Sequence, residues 1–457
     1  MQAIVTPEEM AAIDAAASEP VSELIERAGA AVARAALALL GGGYGKRVVV
    51  LVGKGNNGAD GRAAAVRLTG RGVRCHVVDA AAAPPTLPIA DLVIDAAYGT
   101  GFRSAFSPPP LSDLVTPVLA VDIASGVSGL TGVASGQPWS ATQTVTFAAW
   151  KPGLLLADGA EHRGIVTVAD IGLDVSRARA HVVEPHDVAA WLPGRPRATH
   201  KWRSAAWIVA GSTGMTGAAH LAVRGAQRTG SGYVRLSTPG SASDLAPPTE
   251  AVVTALPETG WAAEVLDDLG RFGAVAVGPG LGAGPGVARE VRALLAGCVV
   301  PVVVDGDGLR ALGTEAASVI AARPNGAGPV VLTPHDGEFE ALAGMAPAAD
   351  RFHAVRTLAA ATGAVVLLKG PTTLVASPDG HVWACIAGDA RLATAGSGDV
   401  LTGMVVALLA QGVPADRAAA AAAHLHGRAG ALTWRRGLVA SDIADHLPAA
   451  LAELPGG

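Results

Sequence analysis

The sequence has few lysines, few asparagines and few aromatic residues. Only five of its 34 basic residues are lysine, asparagine occurs three times in 457 residues, and aromatic residues make up 4%. The apolar half of the chain is therefore mostly small and aliphatic, with 58 glycines. Such a composition is typical of helices packed closely on sheets, and it excludes disordered, collagen-like and low-complexity chains.

Cysteine and charge are scarce as well. The three cysteines, Cys75, Cys298 and Cys385, lie far apart and outside any CxxC pair, which excludes a disulfide framework and a zinc ribbon. The net charge is −5 with both signs mixed, so no basic surface for nucleic acid is expected. The sequence contains no apolar run of about 18 residues and no basic leader. We expect a cytoplasmic protein that binds neither nucleic acid nor a membrane.

Short apolar runs alternate with helical patterns in two parts of the chain. In the first part, a helical pattern over Glu23–Leu40 precedes predicted strands, and a proline-rich stretch, Leu192–Thr199, follows. This alternation predicts a parallel sheet covered by helices on both faces. We therefore predict two α/β domains, residues 1–192 and 198–457. The predicted strands of the first are Arg47–Val52, Arg74–Val78, Ala90–Ile94, Val118–Val121 and Thr144–Phe147.

The second part repeats the alternation with more strands. A hairpin is predicted from Thr372–Ala376 and His381–Ile386, and about three helices are predicted from Asp399 to the end. The hairpin turn lies at Asp379–Gly380. The other predicted strands are Ala205–Ala210, Gly232–Leu236, Ala251–Ala255, Ala274–Val277, Val302–Val304, Val330–Leu332 and Val365–Leu368.

A glycine-rich loop, Gly53–Gly61, lies between a predicted strand and a predicted helix. Glycines there let the backbone approach an anion at the start of the helix. The loop has neither the GxGxxG pattern of dinucleotide-binding dehydrogenases nor the GK[ST] of a P-loop. Glycines alone would fit a plain tight turn equally well. The loop also holds two of the three asparagines, Asn56 and Asn57, whose oxygens suit a hard cation.

Polar residues also follow three other strands of the first domain. Asp95–Phe102 and Asp122–Gly126 each begin where a strand ends, and Lys151 lies in a Gly/Pro turn after another. Taken alone, Asp122 would be a turn or capping residue and Lys151 a solvated surface residue. In an open parallel sheet, however, ligands bind at the carboxyl ends of the strands. Several polar strand ends in one domain therefore favour one shared site.

These motifs resemble those of the NAD(P)H-hydrate epimerases, whose NNGGD, DAxxGTG and VDIPSG segments match Asn56–Asp60, Asp95–Gly101 and Val121–Gly126. The sequence has Ala59 and Ala124 where the family has Gly and Pro. The resemblance implies a Rossmann-like, doubly wound fold over about residues 1–190. It also implies a K⁺ ion held by Asn57, Asp95 and Ser125. The implied contacts with the hydrated nucleotide are Asn56, Asn57, Gly58, Ala59, Asp60, Gly99, Thr100, Gly101, Phe102, Arg103 and Asp122.

Epimerisation of these hydrates inverts C6, which carries a hydroxyl group beside the ring nitrogen. The reaction must break and remake a bond at that carbon, through an iminium-like or a ring-opened species. A carboxylate can move the proton and stabilise the cation. Asp122 is the predicted catalytic residue, and Lys151 is its predicted electrostatic partner.

The second domain contains a different set of polar strand ends. Ala395–Asp399 opens a long predicted helix, so that the N–H groups of Gly396, Ser397 and Gly398 would form an anion hole beside Asp399. A helix-capping role for Asp399 would explain that segment alone. His335 follows another strand beside acids, and ligand contact is predicted for it, whereas His424 and His426 are interpreted as structural. The remaining strand-end segments are Gly211–Ala218, Gly278–Gly282, Thr333–Glu338 and Lys369–Thr373.

These segments resemble the ribokinase-like, ADP- or ATP-dependent NAD(P)H-hydrate dehydratases, through LTPHDGEFEAL, GPGLG, KGPTT and GSGDVLTG. Arg391 and Ala395 replace family glycines. The resemblance implies a ribokinase-like fold, ADP as phosphoryl donor, Mg²⁺, and Asp399 as catalytic base. The implied adenine-nucleotide contacts are Lys369, Gly370, Pro371, Thr372, Thr373 and Gly398, and the implied hydrate contacts are Ala218, Gly280, His335 and Asp399.

The two resemblances predict one repair pathway, in which the first domain interconverts R and S hydrates of NADH and NADPH and the second dehydrates the S form. The family also implies a homo-oligomer. Two alternatives stay open from the sequence. One is a small-molecule kinase of the hydroxymethylpyrimidine or hydroxyethylthiazole type, which shares the GxGD helix. The other is a non-catalytic binding module in the first domain.

Overall fold

The computed structural model describes residues 1–240 and 250–456. The chain divides into two compact units, residues 2–180 and residues 181–457 together with Met1. The predicted linker Leu192–Thr199 lies inside the second unit, directly after a helix that ends at Trp191. The boundary of the catalytic domains at residues 192–198 stays a prediction.

The first unit is a six-stranded parallel sheet with helices. All five predicted strands are confirmed to within two residues, and the helix predicted over Glu23–Leu40 begins at Val21. Strands β2 to β7 form this sheet, and β1 is not part of it. The elements of the unit are β1 (Gln2–Ile4), α1 (Pro7–Ala16), α2 (Val21–Leu40), β2 (Arg47–Val52), α3 (Asn56–Thr69), β3 (Arg74–Asp79), β4 (Leu92–Ala96), β5 (Val118–Val121), β6 (Gln143–Phe147), α4 (Ala157–His162) and β7 (Ile165–Ala169). The sequence did not predict β1 or β7.

The strand order in this sheet is β3-β2-β4-β5-β6-β7. The chain adds β3 on one side of β2 and the later strands on the other, so the order reverses between β2 and β4. In doubly wound sheets this switch point is where ligands bind. Alternate residues of β2 enter two separate cores: Val48 and Val50 lie in one, Val49 and Leu51 in the other. The sheet is therefore covered on both faces, as predicted.

The second unit contains a larger sheet. Its strands β9 to β15 are parallel, whereas β16 is antiparallel to both β15 and β17. Its strand order is β8-β17-β16-β15-β14-β13-β12-β9-β10-β11. Its elements are β8 (Ala180–Val182), α5 (Pro185–Trp191), β9 (Ala205–Val209), α6 (Thr216–Arg228), β10 (Tyr233–Ser237), β11 (Val252–Val253), α7 (Trp261–Asp267), β12 (Ala274–Val277), α8 (Pro285–Gly297), β13 (Val302–Val304), α9 (Asp307–Leu312), α10 (Ala316–Ala321), β14 (Val330–Leu332), α11 (Asp336–Ala343), α12 (Arg351–Thr362), β15 (Val365–Leu368), β16 (Thr373–Ala376), β17 (Val382–Cys385), α13 (Ser397–Ala410), α14 (Ala415–Ala431) and α15 (Ala440–Ala452).

Helix α13 is buried on nearly every side, and its packing is unusually close. A Cβ at Gly403 would lie 1.9 Å from the carbonyl oxygen of Ala222, and one at Gly225 would lie 2.2 Å from that of Val400. Glycine is therefore required on both α6 and α13 where they cross. The helix has 14 residues, and across the described chain no helix is both long and apolar enough to cross a membrane. This packing holds α13 against α6 and leaves the first turn of α13 half-buried.

Candidate active sites

The first unit contains a cavity of about 500 Å³ at the carboxyl ends of β2, β4 and β5. Helices α1 and α2 add an apolar wall with Met10, Leu24 and Ile25, which the sequence did not predict. The structure thus brings residues from four separate motifs to one place. The predicted residues that line the cavity are Asn56, Asn57, Asp60, Gly99, Thr100, Gly101, Phe102, Asp122 and Lys151.

Lys151 lies below the cavity with only 1% of its surface exposed. Its Nζ is 3.0 Å from Oδ1 of Asp122. It also donates hydrogen bonds to Thr146 Oγ1 at 2.9 Å and to the carbonyl oxygens of Phe147 at 2.8 Å and Ala149 at 3.1 Å. An ammonium has three protons to donate, so protein acceptors already use all of them. Lys151 therefore orients Asp122 and has no donor left for a ligand.

Asp122 is held in a strained conformation at the end of β5. Its φ is 68°, in the left-handed region that only Gly, Asn and Asp enter readily. Its carboxylate accepts hydrogen bonds from Thr146 Oγ1 at 3.0 Å and from the Thr100 N–H at 3.3 Å. Burial raises the pKa of Asp122, but the Lys151 ammonium and these hydrogen bonds outweigh it and hold the pKa below its usual range. Asp122 is consequently ionised at neutral pH.

Asp60 lines the same cavity from α3 and is only 7% exposed. Burial raises the pKa of Asp60 to about 8, and the charges of Asp122 and Asp14 add to the rise. It is therefore mostly protonated at neutral pH. Asp14 reaches the cavity from α1, and sequence reasoning missed it because α1 carries no motif and only the fold brings that helix to the site.

Of the three residues implied as K⁺ ligands, Asp95 and Ser125 are in contact near the ends of β4 and β5, and Asn57 lies at the start of α3. Asp95 is buried and accepts hydrogen bonds from Ser125 Oγ at 2.6 Å and from the Ser125 N–H at 2.8 Å. Burial raises the pKa of Asp95, and these hydrogen bonds only partly oppose the rise. Among the described residues, nothing accepts a hydrogen bond from the buried Nδ2 of Asn57. Of the three, only Asn57 lines the cavity.

Three residues of the predicted epimerase site do not line the cavity. Gly58 packs against the backbone, where a Cβ would lie 2.0 Å from the carbonyl oxygen of Gly53. Ala59 donates its N–H to Gly55 within the same turn. Arg103 is exposed to solvent. Gly58 thus permits the close approach of α3 to β2, whereas direct ligand contact by Gly58, Ala59 and Arg103 stays a prediction.

The second site lies at the start of α13, where Gly396 adopts φ 88° and the helix begins at Ser397. Asp399 is half-buried in the first turn. Burial raises the pKa of Asp399 to about 7; the carboxylates of Asp305 and Glu338 add to the rise, and the ammonium of Lys369 opposes it. A carboxyl group with this pKa can accept and release a proton near neutral pH.

Asp305, at the end of β13, connects this site to three neighbouring elements. Its carboxylate is 2.8 Å from Lys369 Nζ and accepts hydrogen bonds from Thr333 Oγ1 at 2.8 Å and Thr402 Oγ1 at 2.6 Å. Burial raises the pKa of Asp305, but Lys369 and the hydroxyl groups outweigh it, so the pKa is low. Sequence reasoning missed Asp305, although it follows Val302–Val304 in the same way that the predicted site residues follow their strands.

Lys369 and His335 both contact Glu338. Lys369 Nζ lies 3.5 Å from Glu338 Oε2. His335 is the N-cap of α11: its Nδ1 accepts the Gly337 N–H at 3.0 Å, and Glu338 accepts the His335 N–H at 2.9 Å. Because Nδ1 accepts, neutral His335 carries its proton on Nε2, which lies 3.4 Å from Oε1 of the same Glu338. Glu338, which the sequence did not assign to the site, positions both residues.

The predicted anion hole is only partly available to a ligand. The N–H of Ser397 donates to the carbonyl oxygen of Thr394 at 3.3 Å, and its hydroxyl donates to that of Leu392 at 2.8 Å. The N–H of Gly398 lies in the first turn, where a helix offers no internal acceptor. A Cβ at Gly398 would lie 3.5 Å from Lys369 Nζ. An anion at this turn would therefore meet both a free N–H and an ammonium.

Ala218 and Gly280 meet between β9 and β12, where the strand order of the second sheet reverses. A Cβ at Gly280 would lie 3.1 Å from that of Ala218, and Gly280 has φ 63°. On the same helix, Leu221 Cδ1 would contact a Cβ at Gly396 at 2.4 Å. Helix α6 thus joins the predicted hydrate contacts to the start of α13. The segment 369–373, for which nucleotide contact is predicted, spans the connection from β15 to β16.

The contacts of Arg391 explain how this charged side chain is accommodated where the dehydratases that the sequence resembles have glycine. Its guanidinium forms an ion pair with Asp389 at 2.6 Å and donates to the carbonyl oxygens of Ala431 and Thr433 at 3.3 Å. Arg391 therefore caps the end of α14 and anchors the loop before α13. His426 is buried and donates from Nε2 to the carbonyl oxygen of Ser397 at 2.9 Å, a structural role at the same helix start.

Comparisons with known protein families match each unit separately. Residues 206–451 match the family model described as NAD(P)H-hydrate dehydratase. Residues 21–88 and 80–153 match the model described as YjeF-related protein N-terminus. The two matches fall on the two halves that carry the sites described above.

Curated relatives match nearly the whole chain. It is 36% identical to the bifunctional NAD(P)H-hydrate repair enzyme Nnr of Moorella thermoacetica, with 99% of this chain and 97% of that protein covered. It is 38% identical to the protein of the same name from Mycobacterium tuberculosis, with 88% of each covered.

A solved structure matches the second half. The ADP/ATP-dependent NAD(P)H-hydrate dehydratase of Bacillus subtilis is 31% identical, with a TM-score of 0.52 over 60% of this chain and 98% of that one. This likeness confirms the ribokinase-like fold that the GSGDVLTG and KGPTT segments predicted. With both halves matched and the relatives covered almost completely, the chain belongs to the family of bifunctional NAD(P)H-hydrate repair enzymes.

Proposed function

We propose that this chain restores hydrated NADH and NADPH in two steps, epimerisation of the hydrates at C6 and ADP-dependent dehydration of the S hydrate. One observation carries the proposal: the same chain holds an ionised Asp122 that lines a cavity and a titrating Asp399 at a glycine-rich helix start. Relatives that this chain covers over 97% and 88% of their length bear the name of this repair enzyme.

In the epimerase cavity, Asp122 is the residue placed to act on C6. Its carboxylate is ionised, is held by Lys151 and Thr146, and faces the cavity. It can accept a proton from the C6 hydroxyl or from water, and its charge stabilises a cationic ring in the transition state. Because the hydrogen bonds that fix it exist before the substrate binds, the site needs little reorganisation.

In the dehydratase site, Asp399 takes the proton of the C6 hydroxyl group. The hydroxyl oxygen then attacks the terminal phosphoryl group of ADP, and AMP leaves. This step turns a poor leaving group into phosphate, whose loss from C6, assisted by the ring nitrogen and followed by loss of a proton from C5, restores the reduced nicotinamide. The Gly398 N–H and the Lys369 ammonium stabilise the charge that develops on the phosphoryl oxygens.

The donor set at the ends of β4 and β5 fits the implied K⁺ ion. Asp95, Ser125 and Asn57 offer carboxylate, hydroxyl and amide oxygens, which are hard ligands. Of the Asn57 amide, only Oδ1 could bind the ion, because its nitrogen is a hydrogen-bond donor. A bound K⁺ would offset the buried charge of Asp95 and fix the loop 97–101 that borders the cavity.

The dehydratase site fits the implied Mg²⁺ and ADP. Asp305, Asp307 and Glu338 surround Lys369 and Asp399, so acids outnumber the single ammonium. This surplus of negative charge suits a divalent cation, which supplies charge neutralisation when a nucleotide is bound. The similar Bacillus subtilis enzyme was co-crystallised with ATP and Mg²⁺. ADP as the donor and a homo-oligomeric assembly stay predictions from the family, and a cytoplasmic location stays a prediction from the sequence.

An equilibrated mixture of R and S hydrates of NADH, incubated with the protein, ADP and Mg²⁺, tests the proposal. Recovery of the reduced nicotinamide absorbance from the whole mixture supports both activities. Recovery of the S fraction alone, beyond slow spontaneous epimerisation, would leave a dehydratase with a non-catalytic first unit. No recovery, together with phosphorylation of an alcohol of the hydroxyethylthiazole class, would make the chain a small-molecule kinase.

Replacing Lys151 by methionine should move the pH dependence of epimerisation. Without the ammonium, only the hydrogen bonds from Thr146 and Thr100 oppose the effect of burial on Asp122, so its pKa rises and the carboxylate becomes protonated at higher pH. The acidic limb of the rate profile should therefore shift to higher pH, with a lower rate at neutral pH. The dehydratase activity of the same variant is the internal control. An unchanged acidic limb would contradict the role given to Lys151.

A further inference from the structure

Asp60 is a buried acid without a partner in the epimerase cavity. Its side chain is 7% exposed and lines the cavity. In residues 1–240 and 250–456, no hydrogen bond or ion pair reaches its carboxyl group. A buried carboxyl with nothing to satisfy it costs stability unless it stays protonated or serves a ligand. Asp60 therefore has hydrogen-bonding capacity that only a molecule in the cavity can use.

The charged groups around the cavity give Asp60 and Asp122 different electrostatic surroundings. Asp14 approaches from α1, Asp122 from the end of β5, and Lys151 from the loop after β6. Lys151 is fully engaged with Asp122 and nearby carbonyl oxygens. The cavity thus offers one carboxylate that is paired with a cation and one carboxyl that is not. Two acids whose surroundings favour opposite protonation states are the arrangement that acid–base catalysis requires.

We infer that Asp60 is the general acid of the epimerisation and that Asp122 is the matching base, an inference that rests on the proposed epimerase function. Asp60 gives its proton to the C6 hydroxyl oxygen. The C6–O bond breaks, its electron pair leaves with water, and the lone pair of the ring nitrogen forms an iminium with C6. A water molecule adds to the other face of C6 and gives a proton to Asp122. One proton has moved from Asp60 to Asp122, and exchange with solvent restores both.

The surroundings of the two residues support Asp60 as the acid and Asp122 as the base. The carboxylates of Asp122 and of Asp60 after transfer flank a ring that has become cationic, which stabilises the intermediate. A raised pKa of about 8 keeps Asp60 protonated at neutral pH. Burial also disfavours the ionised carboxylate of Asp60. The free energy of unfolding should therefore decrease as the pH rises from the usual pKa range of a carboxyl group through about 8. A residue with only a structural role would not need to be acidic.

The test uses the full chain and the purified R hydrate of NADH, and follows epimerisation over a range of pH. The wild-type kcat/KM should fall on the alkaline side with an apparent pKa near 8. Asp60→Asn should lower kcat/KM by about 10²–10⁴-fold, the range for loss of a general acid, and should remove that alkaline fall. Asp60→Glu should restore part of the rate together with the alkaline fall. In water enriched in a heavy oxygen isotope, each epimerisation should place one labelled oxygen on C6.

Several results would overturn the inference. These are an Asp60→Asn rate within about threefold of wild type, an alkaline fall that survives in that variant, an Asp60→Glu variant no faster than Asp60→Asn, or epimerisation that retains the original oxygen. An unchanged circular dichroism spectrum shows that the first unit of each variant is folded, and intact dehydratase activity shows the same for the second unit. Asp60→Asn should also resist heat better than the wild type at alkaline pH, because it removes the ionising group. A wild type that does not convert the R hydrate would instead refute the proposed epimerase function.

Discussion

Replacing Asp399 by asparagine should slow the ADP-dependent dehydration of the S hydrate by about 10²–10⁴-fold, the loss typical of a missing general base. Asparagine has nearly the same shape, and it keeps the first turn of α13 in place. It cannot accept the proton of the C6 hydroxyl group, so phosphoryl transfer loses its nucleophile. The epimerase activity of the variant should be unchanged.

The pH profile gives a second readout for Asp399. The base acts when ionised, so the wild-type rate should rise with pH up to a plateau above about 7. Asp399→Asn should lose this rise. Asp445→Asn is the matched control, since Asp445 is a partly exposed acid on α15 that pairs with Arg224 outside the site. A rise that persists in Asp399→Asn would assign the base to another residue.

Replacing Asp122 by asparagine should reduce epimerisation of the R hydrate by a similar factor, about 10²–10⁴-fold. Asparagine tolerates the left-handed φ of 68° that this position requires, so the backbone at the end of β5 should be preserved. The variant removes the charge that stabilises the cationic ring and leaves the Lys151 ammonium without its counter-ion. Dehydration of the pure S hydrate should continue at the wild-type rate.

Progress from the R hydrate, with purified dehydratase in excess, measures this effect directly. Asp79→Asn is the matched control, because Asp79 is an exposed strand-end acid of the same unit that caps the Ala81 N–H away from the cavity. If Asp122→Asn kept wild-type epimerisation while folded, Asp122 would be only a structural residue at its turn.

The sequence predicted where the sites lie because the fold is simple to infer. Apolar runs such as Val302–Val304 and Val365–Leu368 are strands as predicted, since only buried parallel strands use so continuous an apolar pattern. Polar residues after such runs must then meet at one edge of the sheet. Asp122, Lys151 and Asn57 therefore reach one cavity although almost a hundred residues separate them.

The protonation states and the connecting residues could not be predicted in this way. Asp60 and Asp122 are both acids after glycine-rich or strand-end segments, and only burial and the position of Lys151 give them opposite states. Asp305 follows its strand as the other site residues do, but its three partners come from segments far along the chain. Asp14 is brought to the cavity by a short helix without a motif.

The scarce lysines proved informative only where they are buried. Lys151 and Lys369 each pair with a carboxylate, at 3.0 and 2.8 Å, at the centre of a site. Lys54 lies in the glycine-rich loop that the sequence singled out, yet it is exposed to solvent. A compact ammonium fits a small buried space among carbonyl oxygens that a planar guanidinium would not fill in the same way. The scarcity of lysine therefore identified candidate residues, and burial distinguished Lys151 and Lys369 from Lys54.

We expect the two active sites of this chain to be independent and to act in sequence, so variants that each lack one activity should complement each other. Asp122→Asn and Asp399→Asn are assayed separately and then together on an equilibrated mixture of R and S hydrates with ADP and Mg²⁺. We expect Asp122→Asn alone to recover the S fraction quickly and the rest at the spontaneous rate, Asp399→Asn alone to recover almost nothing, and the two together to recover the whole mixture. If the combined variants recovered the R fraction no faster than Asp122→Asn alone, the two sites would not act independently and in sequence.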